Sequence, residues 1–518
     1  MNTESRTKNS LRNLLTGVVG QVITVLLNFI SRTIFIKFLN IEYLGLNGLF
    51  TNIITILSLA ELGVGGAIVY SMYKPIAEND RDTLKALMKL YSKIYMTIGI
   101  VIAVLGVAII PFLDVFIKNT PKNINNLSII YCIFLLNTVM SYFFSYKRSI
   151  ITADQREYIC TLYRFIFNII KFVLQIIILI ITQNFILYLI IQVLCTLMEN
   201  VAISIKADKL YPFLKEKDDI KLKKSDKVKI FTNIKALMIY KICSTMLDGT
   251  DNLIISSFIG VVWVGLLSNY TLVIGAVSLV LTQIISAITA SIGNVVSVES
   301  KEKQEEIFYN MFFISFLLYG FSSICLIILI NPFISLWLGK DYILSELKVF
   351  IIVLNFYIYG MQNVVWTYRS TMGLFIYGKF RPLVSGIMNI VLSIILCKYL
   401  GLLGVLLGTT ITRLATNVWY DPIIIFKYGF KKSVKLYYLK YLQYIFIFLT
   451  MSILLKIFNY IIDGDGIIYF VILLLTTCLA LIISFFIIFR KNKEFKYLEE
   501  KISNIIKHYK MRDEKCKL

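Results

Sequence analysis

Charged side chains interrupt apolar runs along the whole of this 518-residue chain, and their spacing sets the first question of chemistry. Arg32 ends a stripe of Gln21, Thr24 and Asn28, and Glu61 ends one of Asn47, Thr51, Thr55 and Ser58. Further on come Arg164, Asn168, Lys171 and Gln175, then Gln192, Thr196 and Glu199, then Lys241, Ser244, Asp248, Asp251 and Asn252. The series closes with Asn355, Tyr359, Gln362 and Asn363, and with Thr409, Thr412, Arg413, Thr416, Asn417 and Tyr420. Steps of three and four residues put each set on one helix face. A charge near the middle of a bilayer costs at least ~2.5–3.5 kcal/mol, so it persists only where it is paired or faces water. For Arg32, Glu61, Lys171, Asp248, Asp251 and Arg413 the pattern favours a water-filled cavity; for the Ser, Thr and Asn positions it favours hydrogen bonds between helices. Arginine and lysine there suit an anion, and the acids suit an ion pair, a proton or a small cation. The only histidine, His508, lies in the charged tail, so histidine catalysis within the apolar runs is excluded.

The elements that must hold these residues are membrane spans. The chain is 58% hydrophobic and 16% charged, with only 7 prolines, and apolar runs of about 20 residues recur throughout. The expected fold is an all-α polytopic membrane protein of fourteen helices, at 14–38, 44–70, 94–116, 127–151, 158–182, 184–205, 230–258, 264–296, 307–333, 346–370, 380–400, 402–427, 437–459 and 467–490. The turns near 183 and 401 are the shortest. The N-terminal run continues to Leu39 without a small-residue cleavage site, so it reads as a retained first span and not a signal peptide. Most of the 53 Lys and Arg fall in alternate loops and in the tail, which places both termini in the cytoplasm. The net charge of +22 therefore reads as topology and not as nucleic-acid binding. The eight cysteines stand singly and form no CxxC pair, against disulfides and zinc. In the tail, Phe495, Leu498, Ile502, Ile505, Ile506 and Tyr509 recur at helical spacing among lysines. That pattern fits an amphipathic helix on anionic inner-leaflet lipids or a solvated basic tail.

An internal repeat organises the spans. "PFLDVF" at 111–116 returns as "PFISLW" at 332–337, Arg148-Ser149 as Arg369-Ser370 and Asn168 as Asn389, all at an offset of 221. "FLNIEYLGL" at 38–46 returns as "FIGVVWVGL" at 258–266 at an offset of 220. Six spans per copy is an even number, so both copies share one orientation, with a pathway expected between two six-helix lobes. This gives an N-terminal lobe at 1–205, a basic cytoplasmic loop at 206–229, a second lobe at 230–428, two additional helices at 429–490 and a basic tail at 491–518. The singled-out charges do not recur: Arg32 falls on Asn252, Glu61 on Thr282, Lys171 on Leu392, and Arg413 on Gln192. A one-off adaptation to cargo or coupling is the expectation.

Two six-helix lobes plus two helices, "LGVGGA" in the second span and the paired "YLGL" and "WVGL" loops together resemble the polysaccharide flippases of the MOP superfamily, which also contains MATE drug exporters and lipid II flippases. The resemblance implies flipping of undecaprenyl-diphosphate-linked oligosaccharide repeat units from inner to outer leaflet by alternating access. The pathway would be capsule, exopolysaccharide or O-antigen-type biosynthesis in a bacterial inner membrane. It implies no enzyme activity and no cofactor beyond a coupling proton or sodium ion, with a polysaccharide polymerase and glycosyltransferases as partners and no nucleic acid. An arginine late in the first helix is a theme of the family, matched by Arg32, and an acid before the glycine-rich turn of the second is matched by Glu61. Cargo-binding candidates are Arg32, Arg164, Lys171 and Arg413; coupling or ion-pair acids are Glu61, Glu199, Asp248 and Asp251; lumenal polar groups are Asn28, Asn168, Asn355, Gln362 and Asn417. The alternatives are a lipid II or teichoic-acid-type precursor flippase, then a MATE-type antiporter, which would need an acid-dominated lumen, and last a polytopic polymerase, which would need a larger outer loop. Gly63, Gly65 and Gly66 have no preceding strand and no soluble context, so a phosphate loop is excluded. They serve a bend or a close helix approach instead.

Overall fold

The computed structural model describes residues 6–61, 64–118, 126–216, 249–374, 377–378, 380–460 and 464–500, together with 124, 222, 227–228, 230–232, 234 and 503. All regular elements among them are helices. Ten are long and apolar enough to cross a membrane, and two shorter apolar helices, 41–57 and 127–143, add to these. The chain is a multi-pass membrane protein. Its helices gather into two compact units, Met1–Ser268 and Asn269–Leu518.

The first unit contains α1 (Arg6–Phe38), α2 (Ile41–Leu57), α3 (Val64–Ala77), α4 (Arg81–Ile109), α5 (Leu127–Ser145), α6 (Arg148–Ala153), α7 (Glu157–Thr182), α8 (Phe185–Leu210) and α9 (Asp251–Phe258). Residues 261–268 of α10 (Val261–Val298) also belong to it. Its core is aromatic and aliphatic: Phe50 meets Tyr131 and Phe134 edge-on at 5.4 and 5.7 Å, and Phe35 meets Phe185 at 5.7 Å. The short turn expected near 183 is present. Gln183 takes a left-handed conformation (φ +52°), and Asn184 caps α8 by accepting from the amides of Ile186 and Leu187. The exposed face of α1 is apolar at Val22, Leu26 and Ile30, all more than half exposed.

Two sequence expectations change in detail. The second span is not one helix: α2 stops at Leu57, a tight 3₁₀ turn runs over Ser58–Glu61, and α3 restarts at Val64. Residues 249–268, which the repeat assigns to the second copy, pack within the first unit. There the repeated loops meet one another. A methyl group on Gly45 would lie 1.9 Å from the Val261 carbonyl oxygen, and one on Gly265 would lie 2.6 Å from that of Ile41. Only glycine permits this double approach, and the two glycines are themselves equivalent positions of the repeat, at the same offset as the loops that carry them.

The second unit holds most of α10 and then α11 (Lys301–Ser315), α12 (Phe321–Leu338), α13 (Glu346–Thr371), α14 (Arg381–Leu400), α15 (Leu402–Arg413), α16 (Trp419–Ile424), α17 (Lys435–Tyr460) and α18 (Ile467–Phe489). Wide π turns at Phe316–Gly320 and Leu414–Val418 interrupt these helices without ending them, and a third, Ile425–Phe430, closes the helix that contains α16 before a left-handed Lys431. α14 and α15 form a hairpin closed at Gly401 (φ +58°), the other short turn. It is tight because a methyl on Gly404 would lie 2.1 Å from the Leu396 oxygen. The added helices are attached more intimately than their lack of polar stripes suggests. Tyr437, Tyr441, Tyr444 and Phe448 of α17 are buried, with Tyr444 stacked on Phe316 at 4.5 Å and Phe448 on Tyr357 at 4.5 Å. The opposite face of α17 is exposed at Leu439, Leu442 and Phe446. Of the tail, residues to 500 and residue 503 are described, so the expected amphipathic stripe lies mostly outside the described residues.

Candidate functional site

In the first unit the break between α2 and α3 positions Glu61. The Tyr95 hydroxyl donates to Glu61 Oε1 at 2.6 Å and the Tyr142 hydroxyl donates to Oε2 at 2.7 Å. Tyr91, one turn before Tyr95 on α4, packs edge-on against it with ring centroids 4.4 Å apart. Gly65 makes room for this group, since a methyl there would sit 3.2 Å from the Tyr91 hydroxyl and 3.3 Å from that of Tyr95. One function of the glycine-rich turn is therefore to let phenols reach the carboxylate. Two donors, one on each oxygen, match an acceptor-only ionised carboxylate. A proton on Glu61 would add a donor and force one phenol to turn. The sequence leaves Glu61 as the partner of an Arg or Lys or as a proton site; the hydrogen-bond partners found are tyrosines, supplied by α4 and α5, which periodicity within the second span cannot reveal.

Arg32, on α1, donates from Nη1 to the Ser268 hydroxyl at 2.7 Å. Tyr188 is its electrostatic neighbour, and Asn28 stands one turn earlier, half-buried. Lys171 donates to Asn168 Oδ1 at 3.1 Å and lies over the Phe172 ring at 5.0 Å. Glu199 is in an ion pair with Arg148, whose Nη2 donates to Oε1 at 2.6 Å. Arg164 reaches Glu157 only at 3.9 Å, and its side chain is nearly half exposed. Asp251 opens α9, and the preceding segment is tied to α2 by Asn52 Nδ2, which donates to the Gly249 oxygen at 3.1 Å. Asp248 lies outside the described residues.

In the second unit, Asn355, Tyr359, Gln362, Trp366 and Arg369 form one stripe along α13. Asn355 Nδ2 donates to Thr410 Oγ1 at 2.9 Å and to the Leu406 oxygen at 3.2 Å. Arg413 Nη1 donates to the Asn355 carbonyl at 3.1 Å, and its guanidinium lies 5.6 Å from the Tyr359 ring centroid. Gln362 is 1% exposed, and among the described residues neither polar atom of its amide has a hydrogen-bond partner. Asn417 accepts from Arg381 and Thr416. On α14 and α15, Thr409 donates to Asn389 Oδ1 at 3.2 Å, with Ser393 beside them.

Sequence reasoning misses the most deeply buried acid in this set. Asp421 is 0% exposed and pairs with Arg369 Nη1 at 2.5 Å and Arg381 Nε at 3.1 Å, while Trp366 Nε1 donates to it at 3.1 Å. By sequence Arg369 and Arg381 count as loop cations, yet their side chains are only 12 and 13% exposed. The signal available was "WYDPII", an acid inside an apolar run with two arginines ahead of it in the chain. Among the described residues no cluster of His, Cys, Asp or Glu is arranged to hold a metal ion.

The helical fold that carries these polar centres has counterparts among known proteins. A family model described as "Polysaccharide biosynthesis protein" matches residues 10–290, more than half of the chain. Among solved structures, "Lipid II flippase MurJ, inward closed conformation" is similar at a TM-score of 0.64 and 16% identity, over 92% of this chain and 99% of that one. An inward-facing MATE multidrug transporter of the MOP superfamily is similar at 0.56 and 16% identity, over 77 and 94%. A mutant of the Vibrio cholerae MATE transporter VcmN is similar at 0.53 and 12% identity, over 83 and 99%. No curated protein sequence matches the chain. The fold is that of the MOP superfamily.

Proposed function

We propose, for a chain that belongs to the polysaccharide biosynthesis protein family, that it flips undecaprenyl-diphosphate-linked oligosaccharide units from the inner to the outer leaflet of a bacterial inner membrane, with both termini cytoplasmic. The observation that carries this reading is the family match together with the slight basic excess that the sequence puts in the apolar runs, Arg32, Arg164, Lys171, Lys235, Lys241 and Arg413 against Glu61, Glu199, Asp248 and Asp251. A diphosphate crossing a low-dielectric region needs cations, and a planar guanidinium can hold two phosphate oxygens at once. Arg413 over Tyr359 and Arg32 beside Ser268 are the two sites best built for that role. Asn28, Asn168, Asn355, Gln362 and Asn417 supply hydrogen bonds for sugar hydroxyls, while the isoprenoid stays in lipid. An inside-negative potential favours outward movement of the anion by ~2.3 kcal/mol per charge per 100 mV. Glu61 would carry the coupling proton or sodium ion, with Asp248 and Asp251 as further acids. The product is moved and not chemically altered, so the reading is a transporter and no enzyme. Capsule, exopolysaccharide or O-antigen-type assembly would be the pathway, with glycosyltransferases upstream and a polymerase downstream.

A second reading has a specific observation behind it. The lipid II flippase fold covers 92% of this chain, and its cargo class has the same diphosphate chemistry. Depletion in the native cell separates the two. Accumulation of lipid-linked polysaccharide repeat units on the inner leaflet supports the proposal, and accumulation of the peptidoglycan precursor supports the second reading.

A further inference from the structure

The repeat that relates the two halves also relates two ion pairs withdrawn from solvent, the first partly and the second more deeply. Arg148 and Arg369 are equivalent at the offset of 221, and each leads the repeated Arg-Ser dipeptide. Arg148 reaches across to Glu199 on α8, and Arg369 reaches across to Asp421 on α16. The two acids stand at an offset of 222, one more than the arginines. The π turn Leu414–Val418 accounts for the difference. It lies after Asn389, which is still in the 221 register with Asn168, and before Asp421. A turn closed from i to i+5 takes up one extra residue within a continuing helix, so Asp421 returns to the face that Glu199 occupies in the first copy.

We infer that Arg148–Glu199 and Arg369–Asp421 are one positioning device used once in each unit, tying α6 to α8 with Glu199 turned toward Lys171 of α7, and tying α13 to the interrupted helix that carries Arg413. The acids are not themselves cargo contacts: Asp421 is fully buried, and the Glu199 side chain is 15% exposed. Lys171 is an electrostatic neighbour of Glu199, and Arg413 stands two turns before Asp421 on the same interrupted helix. Removing one member of a buried pair strands the other charge in low dielectric, so the device is all-or-none. The copies differ in one respect. Asp421 also holds Arg381, whereas position 381 falls on Cys160 in the first copy. A charge swap is therefore better tolerated in the first unit, where the further cation, Lys171, acts on Glu199 without forming an ion pair, than in the second, where Arg381 contacts the acid directly.

The presentation of Lys171 and Arg413 to cargo rests on the flippase reading; the pairing itself does not. The test uses the full chain in detergent for thermal unfolding and in liposomes for flipping of undecaprenyl diphosphate bearing one fluorescent N-acetylglucosamine. E199R and D421R are expected to lower the unfolding midpoint and to cut flipping by about tenfold or more. R148E/E199R recovers both, flipping to within about threefold of wild type, and R369D/D421R does not, because the guanidinium introduced at 421 faces Arg381. The neutral variants E199Q and D421N keep the test alive if the reversals fail to fold. They raise KM for the probe more than they lower kcat, a split that loss of packing alone would not produce. A first-unit swap no better than E199R, or neutral variants with wild-type midpoint and KM, overturns the inference. A wild-type chain that flips no probe sinks the flippase reading alone, and the midpoints of the swaps then decide the pairing.

Discussion

Replacing Glu61 with glutamine tests the carboxylate–phenol group at the helix break. The two hydrogen bonds, at 2.6 and 2.7 Å, go to an ionised acceptor, and bonds of that kind contribute about 1.5–3 kcal/mol each. An amide keeps one acceptor oxygen and turns the other position into a donor, so one phenol loses its partner. The expected cost is that of one such bond, about 1.5–3 kcal/mol. Tyr95→Phe and Tyr142→Phe should each cost a similar amount, and each should cost less in the glutamine background. The coupling energy between Glu61→Gln and either tyrosine variant is expected at about 1 kcal/mol, read from unfolding in mixed detergent micelles. Strict additivity, within about 0.5 kcal/mol, would refute the network. The same variant separates structure from coupling. If Glu61→Gln lowers stability yet flipping keeps its full response to an imposed proton or sodium gradient, the carboxylate is a latch at the break and not the coupling site.

Further expectations follow from packing. Gly45→Ala and Gly265→Ala each push a methyl into a backbone oxygen, at 1.9 and 2.6 Å, and should destabilise by about 1–3 kcal/mol. Gly66→Ala meets nothing within 4 Å and should be neutral or stabilising by about 0.5–1 kcal/mol; thermal unfolding ranks the three. Arg413→Lys keeps the charge but loses the planar fork over Tyr359, so KM for a diphosphate-linked probe should rise while the unfolding midpoint holds. Phe316→Ala removes a fully buried ring stacked on Tyr444 and Phe485 and should cost about 3–5 kcal/mol, loosening α17 and α18 together, as accessibility of cysteines placed along those helices would show.

Much of the architecture was legible because a bilayer demands apolar length and polar turns. The spans expected at 158–182, 346–370 and 380–400 correspond to Glu157–Thr182, Glu346–Thr371 and Arg381–Leu400. The break in the second span was harder to place, because "SLAELG" stays apolar enough to continue a helix and only the glycines hinted at a bend. Partners were the least legible layer. Periodicity says which face a residue occupies, and nothing about the helix opposite, so Glu61 could be found while Tyr95 and Tyr142 could not. Asp421 was overlooked for a related reason: its neutralising partners, Arg369 and Arg381, stand far ahead of it in the chain, in a stretch whose positive charge already had a topological explanation. Arg32, Glu61, Lys171 and Arg413 do not recur, but the recurrence of the acid Glu199 was hidden by the register. The register slips by one residue at the π turn Leu414–Val418, and a fixed offset of 221 carries Glu199 onto Tyr420 instead of Asp421.

The central claim is that this chain moves a diphosphate-linked glycan across the bilayer. Its most direct test is purified full-length protein in liposomes carrying fluorescent undecaprenyl-diphosphate glycan, with a membrane-impermeant quencher added outside. Flipping that requires the chain, and is lost in an Arg32→Gln, Arg413→Gln double variant that still folds, is the predicted result. Equal probe exposure with and without the chain, alongside gradient-driven efflux of a lipophilic cation from the same liposomes, would contradict it and return the protein to the drug-exporter reading.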